Sequence, residues 1–168
     1  EREVLAFEFT TPSPMAIEAF GDGEVLSVLR RSLADGQPFD LVRVEVPSDL
    51  GASVSRAAVS DASFYAVLDV DFDRAEQVIG AAVADGDAAR HLGVPLGSPL
   101  LVVRRTTVDR AGRPVLVAVH SFPAHLTEFV VELPLPGRAF SAAGGSHLRL
   151  LNPGDSDTSD AGRTSNSR

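Results

Sequence analysis

Two alternating apolar stretches, residues 24–33 and 39–46, flank Asp35-Gly36, and this pairing limits the fold more than any other feature of the chain. Asp-Gly between such runs signals a two-residue β-hairpin turn, because both central positions need positive φ. A hairpin joins its strands antiparallel, which points away from a doubly wound parallel sheet. Period-two patterning recurs at residues 4–9, 74–84, 100–108, 115–122 and 129–133, with a second turn signal at 109–112. The expected class is α+β: a mainly antiparallel sheet of about six strands with short flanking helices.

Three helices are predicted between these strands. Residues 15–20 follow Ser13-Pro14, with Ser as cap and Pro in the first turn. From Ser60 the period changes: Ser60 or Asp61 can cap, and Phe64, Val67 and Leu68 share a helical face. Asp85 caps a helix over 87–92 that Gly93 stops. The strand over 24–33 is apolar on both faces, with Val25, Leu29 and Leu33 on one and Leu26 and Val28 on the other. One face must be covered by helices, and the other by a cavity, a partner subunit or both.

The chain has 168 residues, enough for one domain with a sizeable core. The domain is expected over residues 3–136. Residues 137–168 are rich in Ser, Gly and Asp, and they read as a largely disordered tail in which only the apolar patch at 148–151 could dock. No apolar run approaches the about twenty residues that cross a bilayer. The opening Glu1-Arg2-Glu3 has neither an initiator Met nor a secretion-signal pattern, so the expectation is a domain cut from a longer cytoplasmic protein.

Composition narrows the chemistry. There is no Cys, and all 15 basic residues are Arg. Thiol nucleophiles, thiolate metal sites, Schiff-base lysines and the P-loop lysine are therefore absent. The net charge of −8 makes the domain a poor candidate for touching DNA itself, so DNA contact would fall to another domain.

Arg30 and Arg105 interrupt otherwise apolar strands. An Arg on a covered face needs an anionic or carbonyl partner, either an internal acid or a carboxylate or phosphate of a ligand. Arg31 points to the opposite face, where an exposed edge is the simpler reading. His120 and His125 stand five apart without a neighbouring carboxylate in sequence, a weak metal signal. Gly21-Asp22-Gly23 lacks the rest of a dinucleotide loop, and four scattered His residues give no Ser/His/Asp set. No metal or cofactor is expected.

Several short motifs stand in a characteristic order across residues 25–133. Arg30 leads into Leu33-Ala34-Asp35-Gly36-Gln37-Pro38, and a strand ends at Val44-Glu45-Val46-Pro47. Ala62-Ser63-Phe64-Tyr65 and Leu68 follow, then Ala75-Glu76-Gln77-Val78-Ile79, Leu92-Gly93-Val94 and Gly97-Ser98-Pro99-Leu100. Arg105, Asp109 and Gly112-Arg113-Pro114-Val115 complete the series. This order resembles the UTRA domain, the effector-binding part of GntR-family, HutC-subfamily transcription regulators.

The resemblance implies a chorismate-lyase-like fold, homodimerisation, and a small-molecule effector that modulates DNA binding by an N-terminal winged helix-turn-helix. It carries effector-binding roles to Arg30 and Ser63, to the loop at Thr10-Thr11 and to Ser121, with Ser32 and Arg105 as further candidates. Two departures stand out. Ser32 replaces a second Arg of sugar-phosphate-sensing members, and Val42 replaces a Glu. The implied effector is less polar than a sugar phosphate and bears one carboxylate or similar anion. A chorismate-lyase-like enzyme and a UTRA domain kept only for dimerisation are the alternatives.

Overall fold

The computed structural model describes residues 1–131 and the backbone of 146–150. Its elements in chain order are β1 (Arg2–Thr10), α1 (Pro14–Phe20), β2 (Val25–Ala34), β3 (Gln37–Pro47), α2 (Ser48–Gly51), α3 (Arg56–Asp61) and α4 (Phe64–Val67). There follow β4 (Phe72–Val83), α5 (Gly86–Leu92), β5 (Pro99–Asp109), β6 (Pro114–Pro123), a 3₁₀ turn (Ala124–Leu126), β7 (Thr127–Val131) and β8 (Ser146–Leu150).

β1 to β6 form one sheet in the order β1-β2-β3-β6-β5-β4, every pair antiparallel. The chain runs twice through a β–α–β–β unit, and β3 pairing with β6 joins the two units. The α+β expectation and its antiparallel sheet hold. The Asp35-Gly36 turn is as read: both residues have positive φ, and Ala34 pairs with Gln37 across it.

Both faces of the sheet carry helices, which the alternation did not foretell. Side chains at even positions of β2 and β3 meet α2, α3 and α4, where Leu26, Val28, Val42, Val44, Val46, Val59 and Phe64 pack as one core. Odd positions turn to α5, where Leu41, Leu92, Leu100 and Val102 form a second core. α1 lies against β3 and β6, and Glu45 holds its start by accepting from the backbone N–H of Ser13 (3.0 Å) and from the Ser13 hydroxyl.

Several sequence readings need correction. The helix expected after Ser60 begins only at Phe64, as α4, and neither Ser60 nor Asp61 caps it. An unexpected short helix, α3, precedes it over Arg56–Asp61; Ser55 caps that one, and its Oγ accepts from the Ala58 N–H at 3.1 Å. Ala62 is extended (φ −118°, ψ 166°), and Ser63 then precedes α4. A tertiary cause is Arg30, which donates to the carbonyls of Val59 and Ala62 and holds the chain where a continuous helix would have used them internally. α2 went unseen because four residues are too few to show a period. Arg31 is not at a free edge; its guanidinium pairs with Glu3 and donates to the His91 carbonyl at 3.2 Å. Ser146–Leu150, which takes in most of the apolar patch read as able to dock, pairs with β7 as β8. The other tail positions, and residues 132–133 of the last expected strand, lie outside the described residues.

Candidate functional site

Between the even-facing side of the sheet and α3–α4 lies a cavity of about 730 Å³. Its floor is a block of facing positions on four strands. Arg30 and Ser32 come from β2, Asp40 and Val44 from β3, Leu116, Ala118 and His120 from β6, and Arg105 from β5. Register explains the grouping. Ser32 pairs with Asp40, Arg30 with Val42, Val42 with His120, and Ala118 with Arg105, so these side chains share one face. The roof is Ser60, Asp61, Ser63, Phe64 and Tyr65, and the start of β1 closes one side with Glu1 and Arg2.

Four of the seven residues read from sequence as effector contacts meet here: Arg30, Ser32, Ser63 and Arg105. Thr10 and Thr11 do not. Thr10 ends β1, eight residues and about 26 Å along the strand from Arg2, and neither it nor Thr11 lines the cavity. Ser121 does not either, since it is one residue on from His120 and faces the other side of β6, opposite Val102.

The two arginines are differently occupied. Arg30 donates through Nη1 to Val59 O at 2.7 Å and Ala62 O at 3.1 Å, and its guanidinium carbon lies 5.3 Å from the centre of the Phe64 ring. Its Nε is buried without a hydrogen-bond partner, and its Nη2 has none among the described residues. Burial first, and then the nearby charge of Arg2, push its pKa below the usual guanidinium value, while Asp40 opposes them. Arg105 donates to Gln77 Oε1 through Nε (3.0 Å) and Nη2 and keeps Nη1 free among the described residues. The Ser63 hydroxyl makes no capping bond to α4, so it too can serve a ligand.

Asp40 and His120 were missed as partners in this site, although His120 was noted as a metal candidate. Asp40 is 8% exposed, and its Oδ1 lies 3.1 Å from His120 Nδ1. His120 stacks in parallel on Phe122 with ring centres 5.6 Å apart. A signal for Asp40 existed: it shares the even face of β3 with Val42, Val44 and Val46, so a charge there breaks an apolar stripe. Among the described residues no group of three potential metal ligands assembles.

The fold recurs in solved structures of transcription regulators. The GntR-family regulator from Enterococcus faecalis V583 superposes with a TM-score of 0.72 at 21% identity, over 79% of this chain and 100% of that one. The effector domain of PhnF from Mycobacterium smegmatis gives 0.66 at 20% identity, over 74% and 80%. At these identities the likeness is one of fold. Residues 1–127 match the UTRA domain model. The chain belongs to the UTRA domain family of GntR-type transcription regulators, with its chorismate-lyase-like fold, and is not an enzyme. It is also 37% identical over 145 residues to the HTH-type transcriptional regulator Rv0792c of Mycobacterium tuberculosis (strain ATCC 25618 / H37Rv). That alignment takes in 80% of this chain and 54% of the relative, so the chain spans about half the relative's length.

Proposed function

We propose that this domain senses a small anionic effector in the cavity between the sheet and α3–α4, and that occupancy modulates operator binding by a helix-turn-helix elsewhere in the same protein. The observation that carries the reading is the cavity itself. Its volume of about 730 Å³ lies within the range of small-molecule sites, and Leu116, Ala118 and Phe64 give it apolar surface near Arg30 and Arg105, each of which keeps an unused N–H among the described residues. Arg30 and Arg105 meet the anion, while Ser32 and Ser63 take its polar groups. The HTH-type relative supports a DNA-binding partner domain, and the net charge of −8 keeps this domain itself off DNA. No helix among the described residues is long and apolar enough to cross a membrane, in keeping with a cytoplasmic regulator.

The domain also pairs with a second copy of itself. β4 is an edge strand whose Val78, Ile79 and Val83 are 46%, 38% and 69% exposed, and an unprotected apolar edge is a template for a further strand.

The test is a thermal-shift screen against sugar phosphates, aromatic and aliphatic acids, and neutral sugars. A ligand at a hundredfold excess over Kd stabilises by about 2.7 kcal/mol, several degrees for a domain of this size. An acid should raise the melting temperature of the wild type and fail to do so in Arg30→Ala. The commitment of Arg30 Nη1 to two backbone carbonyls favours a second reading, a domain that only dimerises. A flat screen on an intact dimer would support that one.

A further inference from the structure

We infer that the effector is an acid carrying a hydrogen-bond donor, an amino or hydroxyl group, close to its anionic group, and that Asp40, positioned by His120, selects for that donor. The inference rests on the reading of the cavity as an effector site and gives that effector a chemical class.

Arg30 and Asp40 are diagonal neighbours on the cavity floor. Arg30 pairs with Val42 and Ser32 pairs with Asp40, which sets the two Cα atoms about 7–8 Å apart on one face. Each is incompletely satisfied. An ionised carboxylate has about four acceptor positions. Asp40, 8% exposed, has His120 at 3.1 Å on Oδ1 and the Ser32 hydroxyl on Oδ2 at 3.5 Å, the limit of a hydrogen bond. Arg30 has spent Nη1 on carbonyls and has no partner for Nε or Nη2 among the described residues. A buried acceptor and a half-buried donor group thus stand on one face, both with capacity to spare.

The two demands act against most simple ligands. A plain carboxylate answers Arg30 but brings its charge beside Asp40 and leaves that carboxylate unpaired. A neutral polyol answers Asp40 and leaves Arg30 without an anion. An α-amino or α-hydroxy acid answers both at once, with its carboxylate on the guanidinium and its N–H or O–H on Asp40 Oδ2. His120 holds Oδ1, and its ring is fixed by the stack on Phe122, so Oδ2 is the oxygen left to face the ligand. Sites that hydrogen-bond a ligand group reject the analogue lacking it far better than apolar walls reject a missing methylene.

Matched pairs of acids test this by calorimetric titration of the 168-residue chain: phenylalanine and 3-phenyllactate against 3-phenylpropionate, alanine and lactate against propionate, aspartate and malate against succinate. In at least one set the donor-bearing acid should bind about tenfold or more tightly than its donor-free twin, as a hydrogen bond to a charged group supplies. Asp40→Asn keeps the volume but turns one acceptor into a donor, so it should bring that ratio close to one. Arg30→Gln should weaken both members alike. His120→Gln, which frees Asp40 from its support, should shrink the ratio and serves if Asp40→Asn melts early. Twins that bind equally, or a ratio that survives both variants, overturn the inference and leave the effector reading standing. No binding by any member overturns the inference, while the effector reading falls only if the wider thermal-shift screen is flat as well.

Discussion

At Gly51 a single methyl group decides whether α2 can lie on the sheet. A Cβ built there would stand 2.5 Å from Leu26 Cβ and 3.2 Å from its Cδ2. Leu26 is fully buried, and its Cβ is fixed to the backbone of β2, so it cannot swing aside. Gly51→Ala should destabilise the domain by about 1–3 kcal/mol through overpacking, read from urea denaturation. Asp109 shows a charge held by its turn. The backbone N–H of Arg113 (2.9 Å) lowers its pKa most, burial opposes this, and the Arg113 guanidinium adds to the lowering. Its stabilising effect is complete above the unfolded carboxylate's value of about 3.9 and fades as pH falls through the lower folded value. Asp109→Asn should therefore lose stability at neutral pH and show a shallower acid limb than wild type. Parallel limbs from pH 7 to 2 would remove Asp109 from that account.

Elements form here for reasons that are partly local and partly imposed. α5 is local: Asp85 accepts from the Ala88 N–H at 2.8 Å, Gly93 closes the helix with φ 67°, and both signals stand in the sequence. Asp85→Ala should cost about 1 kcal/mol, seen as a fall of about 2–4 °C in melting temperature. The break between α3 and α4 is partly imposed. Ser60, Asp61 and Ser63 favour a helix start in this segment, and Arg30, about 30 residues earlier, adds a tertiary cause by claiming two of its carbonyls. The Asp35-Gly36 turn fixes only the first pairs, Ala34 with Gln37 and Leu33 with Pro38; a bulge between Ser32 and Leu33, unmarked in the sequence, then sets Ser32 against Asp40. The bulge in β1 between Val4 and Ala6 is likewise unmarked.

For the whole molecule, the exposed side of β4 is the place where assembly should show. Residues 77–83 of that strand carry no charge and no proline, the devices that usually guard an edge. Ile79→Lys should convert a dimer to a monomer in light scattering while leaving the circular dichroism of the sheet unchanged. An unchanged mass would place the dimer contact on another surface. At this scale the sequence by itself determined the class of the fold. Period-two runs, turn residues and helix caps act over a few residues, so they are written where they act. The ordered motifs pointed to the UTRA family in the same way. Only the tertiary structure decided the site. It brought Arg30, Ser32, Ser63 and Arg105 to one cavity, left Thr10, Thr11 and Ser121 elsewhere, and set Asp40 against His120, 80 positions away. Which face a side chain takes is fixed by its own strand, but what it meets there is fixed by register between strands distant in sequence, and register is a property of the packed sheet.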